Sequence, residues 1–396
     1  MHKEIDIKIK DALAQELQKG VPILLKEGFH ETDSLPEGTI LKLRNPAGKF
    51  IGKGYVGKQN KGMGWLLTNN ENEPIDTQFF QKKIAAAIKN RTDYFDSSET
   101  TAFRVFNGEG DGIGGLTIDY FDGFYLISWY SEGIYSFKEM ILAGLEACVS
   151  YKGIYEKKRF DTKGQYLEDD DFVKGERGEF PLIVKESGQN FAIYLNDGAM
   201  VGVFLDQRDV RKKIRDAYSK GKTVLNTFSY TGAFSVFAAA GGATKTTSVD
   251  LAKRSLSKTT EQFEVNGIDA EQQDIIVMDV FDYFKYAKRK ELAFDVVILD
   301  PPSFARSKKY TFSSSKDYTS LLKDAIAITE KNGVIVASTN NATFGMKKFK
   351  TFVEKAFKDS NRKYTIEEEF SLPSDFKTSP LFKEGNYLKV LFVRAK

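Results

Sequence analysis

The sequence predicts an α/β protein: a doubly wound parallel sheet with an antiparallel C-terminal hairpin, preceded by a small β-rich domain and an α+β middle domain. Three observations carry this. From about Pro181, apolar strand-like runs alternate with helical stretches, the βαβ repetition of a buried parallel sheet. The first segment instead has short apolar runs punctuated by Gly48, Gly52, Gly54, Gly57, Gly62 and Gly64, the signature of a small open or barrel-like β-domain. Between them, helices and strands mix without repetition. The predicted divisions are 1–72, 73–180 and 181–396.

In chain order, Asp11–Lys19 reads as a short helix, and Thr39–Leu43, Phe50–Tyr55 and Gly64–Thr68 as strands. Phe79, Phe80, Ile84, Ala87 and Ile88 recur at helical spacing and predict a connecting helix over Thr77–Arg91. Strands follow at Ala102–Asn107, Leu116–Tyr120 and Phe124–Trp129, with Glu109–Gly112 and Asp122-Gly123 supplying the turns. Ser136–Cys148 reads as an amphipathic helix with Cys148 on its apolar side, a small core residue, before a strand at Gly153–Glu156. An uncovered strand edge here could pair two copies in a homodimer. Asp161–Glu179, polar and charged, predicts a loop or extended hairpin.

The last domain offers strands at Thr223–Thr227, Thr247–Asp250, Ile275–Met278, Phe294–Leu299 and Val334–Ser338. Helices begin at Gly232 and span Ala252–Asn266, Ser315–Lys331 and Lys347–Lys358. Tyr364–Phe370 and Tyr387–Arg394 have no long helix between them, which predicts an antiparallel pair at the sheet edge.

Composition excludes several chemistries. One cysteine, Cys148, rules out an intramolecular disulfide, a cysteine zinc site and an iron–sulfur cluster. The two histidines, His2 and His30, argue against a Ser-His-Asp triad, a multi-histidine metal site or a haem pocket deeper in the chain, and no metal is expected. No apolar run reaches the ~20 residues of a membrane span, and MHKEIDIKIK has no apolar signal core. The expectation is a cytoplasmic protein with no membrane partner. With 58 Lys+Arg against 55 Asp+Glu, a net charge of +3 does not by itself argue for nucleic acid, so local clusters must decide.

Asp250, Asp279 and Asp300 each stand at the end of a predicted parallel strand, where ligands of open α/β sheets bind. The turn Asn226-Thr227-Phe228-Ser229-Tyr230-Thr231-Gly232 has one glycine where a dinucleotide fingerprint has three, so it suits a nucleoside without a pyrophosphate better than NAD or FAD. Asp250 lies at the interval expected for an acid that accepts hydrogen bonds from ribose hydroxyls. Asp279 is placed to meet an adenine amino group. Either could instead serve only as a helix cap. Asp300-Pro301-Pro302-Ser303-Phe304 is the most specific signal. The prolines stiffen the chain and leave free carbonyl acceptors, and Phe304 offers a flat face to a planar base. Acceptors for an exocyclic amine beside a stacking surface are what base methylation requires.

These motifs, with Val203-Phe204-Leu205-Asp206-Gln207-Arg208, Gly108–Gly112, Leu116–Asp119 and Glu384–Lys389, resemble the bacterial large-subunit (23S) ribosomal RNA methyltransferases that carry an N-terminal PUA domain. The similarity extends over nearly the full chain and is weakest at its start. It implies a PUA-like RNA-binding domain, a middle domain, a Rossmann-like class I methyltransferase domain, and S-adenosylmethionine as methyl donor. It implies cofactor contacts from Asn226, Phe228, Ser229, Tyr230, Thr231, Gly232, Asp250, Asp279 and Asp300, with Asp206, Gln207 and Arg208 bordering the same pocket. It places Asp300, Pro301, Pro302 and Phe304 at the reacting base.

The chain departs from the family at one position. Members that make 5-methylcytosine use a thiolate, which adds to C6 and activates C5. The matching position here is Thr339, and a threonine hydroxyl without a nearby histidine is a poor substitute. Guanine N7 has an available lone pair and needs only positioning against the sulfonium. The Asp-Pro-Pro-Ser-Phe run also resembles the related ribosomal guanine-N7 methyltransferase domain. Guanine N7, cytosine C5 by an unusual route, and an exocyclic amine remain open as targets. Arg306, Lys308 and Lys309 follow Phe304 and are expected to hold RNA phosphates. Lys157–Arg159, Lys58 and Lys61 form further basic clusters, and Tyr310 and Phe312 could grip a flipped base. The competing reading is an RNA-binding ribosome-assembly factor that retains S-adenosylmethionine binding without turnover.

Overall fold

The computed structural model describes residues 2–30, 35–58, 62–160, 171–198, 200–307 and 309–396. The chain forms two units. One comprises Met1–Val184, Tyr194–Val201 and Ser374–Gly385, and the other Lys185–Ile193, Gly202–Pro373 and Asn386–Lys396.

The first unit holds two five-stranded sheets. Strands β1 (Glu4–Lys8), β2 (Ile23–Leu25), β3 (Ile40–Arg44), β4 (Phe50–Val56) and β5 (Gly62–Thr68) stand in the order β1-β3-β4-β5-β2. The helix Asp11–Lys19 forms where its sequence predicts. It buries Leu13, Ala14 and Leu17 and ends on the left-handed Gly20. At Gly64, a Cβ would lie 1.7 Å from the Tyr55 carbonyl oxygen, so only glycine lets β4 and β5 approach there. Sequence reasoning missed β1 and β2. β1 is an edge strand with its side chains largely in solvent, and β2 has three residues, so neither shows a periodic signal.

The second sheet orders β6 (Ala102–Asn107), β7 (Leu116–Phe121), β8 (Phe124–Trp129), β9 (Gly153–Lys158) and β10 (Phe172–Gly175) as β10-β9-β8-β7-β6, with β8 and β9 parallel. The helix Thr77–Lys89 buries Phe79, Phe80, Ile84 and Ala87 and is capped by Asp76, whose carboxylate accepts from Phe79 N at 2.9 Å. The predicted helix Ser136–Cys148 forms over Lys138–Glu146, and a separate short helix, Glu132–Tyr135, precedes it. Cys148 lies beyond the second and is half-buried, its Sγ 3.6 Å from the Gln81 carbonyl oxygen. The segment Ser374–Gly385 returns to this unit. Arg91 pairs with the buried Asp111 at 2.7 Å and donates to the Asp375 carbonyl, and the Asp375 carboxylate accepts from Arg104 N at 2.8 Å on β6. Within the predicted loop Asp161–Glu179, residues 161–170 lie outside the described residues, and β10 follows them.

After a hairpin of β11 (Leu182–Glu186) and β12 (Gln189–Ile193) comes the main sheet of the second unit. Its strands are β13 (Thr223–Thr227), β14 (Lys245–Asp250), β15 (Asp274–Val277) and β16 (Phe294–Leu299). A small hairpin, β17 (Phe304–Arg306) with β18 (Thr311–Ser313), intervenes before β19 (Thr329–Thr339), β20 (Tyr364–Phe370) and β21 (Lys389–Ala395). The order is β15-β14-β13-β16-β19-β21-β20, parallel from β15 to β19 and antiparallel from β19 through β21 to β20, as the alternation predicts. β19 starts five residues earlier than its apolar run because Thr329 pairs with Phe294 across a bulge. The chain runs outward from β13 to β14 and β15, then crosses to β16 on the other side. That switch point opens a crevice at the carboxyl ends of the strands. Among the described residues no helix is long and apolar enough to cross a membrane.

Candidate active site at the strand ends

A cavity of about 340 Å³ occupies the crevice, within the usual size range for small-molecule sites. Residues at or just past the ends of five strands reach it: Phe228 after β13, Asp250 at the end of β14, Asp279 after β15, Asp300 after β16 and Asn340 after β19. Sheet topology alone therefore brings together three carboxylates that lie 50 residues apart between the first and last.

The loop after β13 is held in an uncommon conformation. Phe228 and Tyr230 both have positive φ, 54° and 53°, and Gly232 follows at 78°. Two non-glycine residues in this region cost of order 1–3 kcal/mol each, which the surroundings must offset. Part of the offset is visible: the Asp250 carboxylate accepts from Tyr230 N at 2.9 Å and from Ala252 N at 2.8 Å. A Cβ on Gly232 would meet Thr259 at 2.4 Å, so glycine is required there on both counts. Asp279 caps the helix Val280–Arg289, accepting from Phe281 N at 3.0 Å, and also lines the cavity. The cap and the cavity wall are thus one residue.

At the other end, Gln207 bridges two strand ends. Its Nε2 donates to Asp300 Oδ1 at 3.0 Å and to Ser338 Oγ at 2.8 Å, while its Oε1 is buried without a partner. Tyr387 OH donates to Asp206 Oδ2 at 2.8 Å. Arg211 secures the segment that carries these groups. It makes a buried two-pronged pair with Glu186, at 2.7 and 2.8 Å, and donates to the Phe204 carbonyl at 2.7 Å. Burial, with the Asp206 charge adding to it, lifts the Asp300 carboxyl to about 6, against the opposing bonds from Ser338 and Gln207.

Of the residues singled out from sequence, Phe204, Asp206, Gln207, Phe228, Tyr230, Asp250, Asp279, Asp300, Pro301, Pro302, Arg306, Tyr310 and Phe312 line the cavity. Asn226, Ser229, Thr231 and Gly232 sit in or beneath the strand-end loop rather than on the cavity wall. Asn226 Nδ2 donates to Ser235 Oγ, and Thr231 Oγ1 to the Gly202 carbonyl. Arg208 is buried outside the lining. Phe304 is 62% exposed and also outside it. Lys309 pairs with Asp282 at 2.8 Å, Tyr310 OH donates to Asp282 at 2.7 Å, and Lys308 lies outside the described residues. Phe312 is buried, and with Tyr310 it lines the cavity. In the other basic clusters, Lys157 is fully buried against Asp171, so it presents no cation to a phosphate, and Lys61 lies outside the described residues. Leu251, Phe281, Asn340 and Leu388 also line the cavity and were not anticipated. Leu251 and Asn340 directly follow strands and Leu388 directly precedes one, the signal that could have found them, whereas Phe281 stands in the first turn of the helix Val280–Arg289.

Thr339 decides a chemical question. It is fully buried, and its Oγ1 accepts from Asn341 N at 3.3 Å, so the hydroxyl caps a turn instead of facing the cavity.

This sheet, with its strand-end carboxylates and glycine-poor loop, defines a class, and the comparisons agree. Residues 104–380 match the S-adenosylmethionine-dependent methyltransferase family and residues 7–69 match a PUA-like domain; the chain belongs to that methyltransferase family and depends on S-adenosylmethionine. Among its relatives, a Bacillus subtilis (strain 168) protein named "Putative ribosomal RNA large subunit methyltransferase YwbD" is 60% identical, over 98% of this chain and 99% of that one. "Ribosomal RNA large subunit methyltransferase I" of Aeromonas salmonicida is 29% identical over 95% of both chains. A crystal structure described as "a putative methyltransferase complexed with SAH" superposes with a TM-score of 0.91 at 39% identity, covering 98% of this chain and all of that one.

The cavity suits that cofactor on its own chemistry. The ribose hydroxyls, the adenine amine and the α-ammonium are all donors. The cavity offers acceptors for them: the Asp250, Asp279 and Asp206 carboxylates and the unpartnered Gln207 Oε1, between apolar walls of Phe228, Leu251 and Phe281.

Proposed function

We propose that the protein methylates a base of large-subunit (23S) ribosomal RNA, at an atom that needs no covalent bond to the enzyme. The observation that carries the last clause is the burial of Thr339, together with the placement of Cys148 in the first unit, leaving no sulfur nucleophile among the cavity-lining residues. Guanine N7 or an exocyclic amine meets this requirement, since each presents its own lone pair. The names of the relatives support the RNA.

In this reading Asp250 takes the ribose hydroxyls, Asp279 the adenine amine, and Asp206 with Gln207 the amino-acid end. Bound S-adenosylmethionine supplies an electrophilic methyl on its sulfonium. Asn226, Ser229, Thr231 and Gly232 shape the loop that presents Phe228 and Tyr230, and Arg208 supports the neighbouring segment. Asp300 and the Pro301 carbonyl accept hydrogen bonds from the target base, aligning its lone pair. Where the acceptor loses a proton, Asp300 is the group placed to receive it. Pro302 stiffens the loop, and Phe304 stacks on the nucleotide. Arg306, Lys308 and Lys309 hold phosphates, with Lys309 exchanging its exposed pair with Asp282 for RNA. Residues 1–72 serve as the PUA-like RNA-binding domain, 73–180 as the middle domain and 181–396 as the catalytic domain. A second copy would add at β10, an edge strand of its sheet among the described residues, which sedimentation analysis tests.

The experiment is transfer of labelled methyl from S-adenosylmethionine to ribosomal RNA from cells lacking the protein. Label in large-subunit RNA is the expected result. Label absent with cofactor bound would favour the assembly-factor reading instead.

A further inference from the structure

One buried ionisable group near the cavity has no part in this scheme. Lys389 opens β21 directly opposite Thr339 and is 4% exposed. No carboxylate among the described residues comes within ion-pair distance. Its Nζ donates to the carbonyls of Asn341, at 2.9 Å, and Tyr387, and lies 5.5 Å from the centre of the Phe344 ring. Burial alone pushes the ammonium down to about 8. An ammonium taken out of water without a counter-charge weakens a fold, so stability does not account for a lysine here.

Its two bonds lead to the turn after β19 and to the segment before β21, each of which carries a cavity-lining residue, Asn340 and Leu388. Asn341 belongs to the turn after β19. The preceding Asn340 lines the cavity, and its Oδ1 accepts from the Ser303 hydroxyl at 2.7 Å, which ties the turn to the Asp300–Phe304 loop. Tyr387 holds Asp206 through its hydroxyl, and the adjacent Leu388 lines the cavity. Lys389 itself does not.

We infer that Lys389 is a positioning residue: its ammonium clamps the turn after β19 to the start of β21, fixing Asn340 and Ser303 where the methyl-accepting base sits. This rests on reading the Asp300 end of the cavity as the acceptor end. The clamp joins main-chain carbonyls of two segments, so a side chain of similar length without N–H groups releases both.

The test is Lys389→Met, with Asn340→Ala as a second variant. In Lys389→Met, amide hydrogen exchange over residues 340–345 becomes at least tenfold faster, while the melting temperature equals or exceeds that of the wild type. With ribosomal RNA as substrate, kcat falls at least tenfold and the Kd for S-adenosylhomocysteine changes less than twofold. Asn340→Ala lowers kcat similarly, and the double variant loses little beyond the larger single effect, because both act through one turn. Unchanged exchange at 340–345 overturns the inference. So does a collapse of Lys389→Met stability with exchange rising throughout the second unit, which would make the lysine a structural tie. If the wild type transfers no methyl to ribosomal RNA, the RNA reading fails separately, and the exchange measurement still decides the role of Lys389.

Discussion

Replacing Asp300 with Asn should make the protein more stable and nearly inactive. The carboxyl is lifted from 3.8 to about 6 by burial. At about 1.36 kcal/mol per pKa unit, keeping it ionised above pH 7 costs the fold up to about 3 kcal/mol. The sign follows from proton counting. Between pH 3.8 and about 6 the folded state binds more protons than the unfolded chain, so stability falls as pH rises through that window and stays reduced above it. Asparagine carries no charge to desolvate. Its oxygen can still accept from Gln207 Nε2, and the unpartnered Gln207 Oε1 offers an acceptor for its amide. A gain of about 1–3 kcal/mol is expected at pH 8, or roughly 2–4 °C in Tm per kcal/mol for a unit of this size. The gain should shrink towards zero by pH 4. Turnover should drop ~10²-fold or more, and the acid limb of wild-type kcat/KM near pH 6 should disappear. Thermal melts at pH 4, 6 and 8, run beside methyl-transfer assays, read both effects. A variant less stable than wild type at pH 8 would exclude a destabilising buried charge at Asp300, and wild-type turnover would exclude its role at the acceptor.

Thr339→Ala tests the non-covalent route: turnover should stay within about threefold and stability fall by about 1–2 kcal/mol, because only a buried cap is lost. A much larger loss of turnover would restore a chemical role to the hydroxyl. Replacing Arg306, Lys308 and Lys309 with alanine should weaken RNA binding about tenfold at 0.1 M salt and lower the salt slope by ~2, while cofactor affinity measured by calorimetry stays within about threefold. Equal RNA affinity would remove these residues from the interface. Arg91→Ala removes the two-pronged partner of the buried Asp111, leaving it Lys377 at 3.8 Å and the Asn107 amide, and frees the Asp375 carbonyl, so denaturant unfolding should show a loss of about 2–4 kcal/mol in the first unit.

How much of this was legible in the chain varies with the kind of signal. The parallel sheet was readable because β16 and β19, buried on both faces, carry the continuous apolar runs Val296–Leu299 and Val334–Ala337, whereas β14 is buried as deeply but reads Lys-Thr-Thr-Ser-Val-Asp and was placed by the alternation around it. Edge elements were not. β1 alternates with its faces in solvent, and β17 and β18 have three residues each. The return of Ser374–Gly385 to the first unit depends on Arg91, Arg104 and Asn107, all more than 260 residues away, and no local pattern announces such contacts. At the site, strand-end acids were found because topology fixes what a strand end does. Asn226 and Thr231 were included because the whole loop was taken together, and the side-chain alternation that turns Asn226 beneath it shows only in three dimensions. Lys157 looked like surface in a run of three cations, but its place on β9 turns it into the interior.

Mass spectrometry of nucleosides from 23S ribosomal RNA of cells with and without this protein tests the methyl transfer. Without the protein one methylated nucleoside should be lost, 7-methylguanosine or a base methylated on an amine, and it should return with the wild-type gene but not with Asp300→Asn. Loss of 5-methylcytosine would contradict the thiol-free chemistry inferred from Thr339 and Cys148. An unchanged set of nucleosides would contradict the methyl transfer to ribosomal RNA itself.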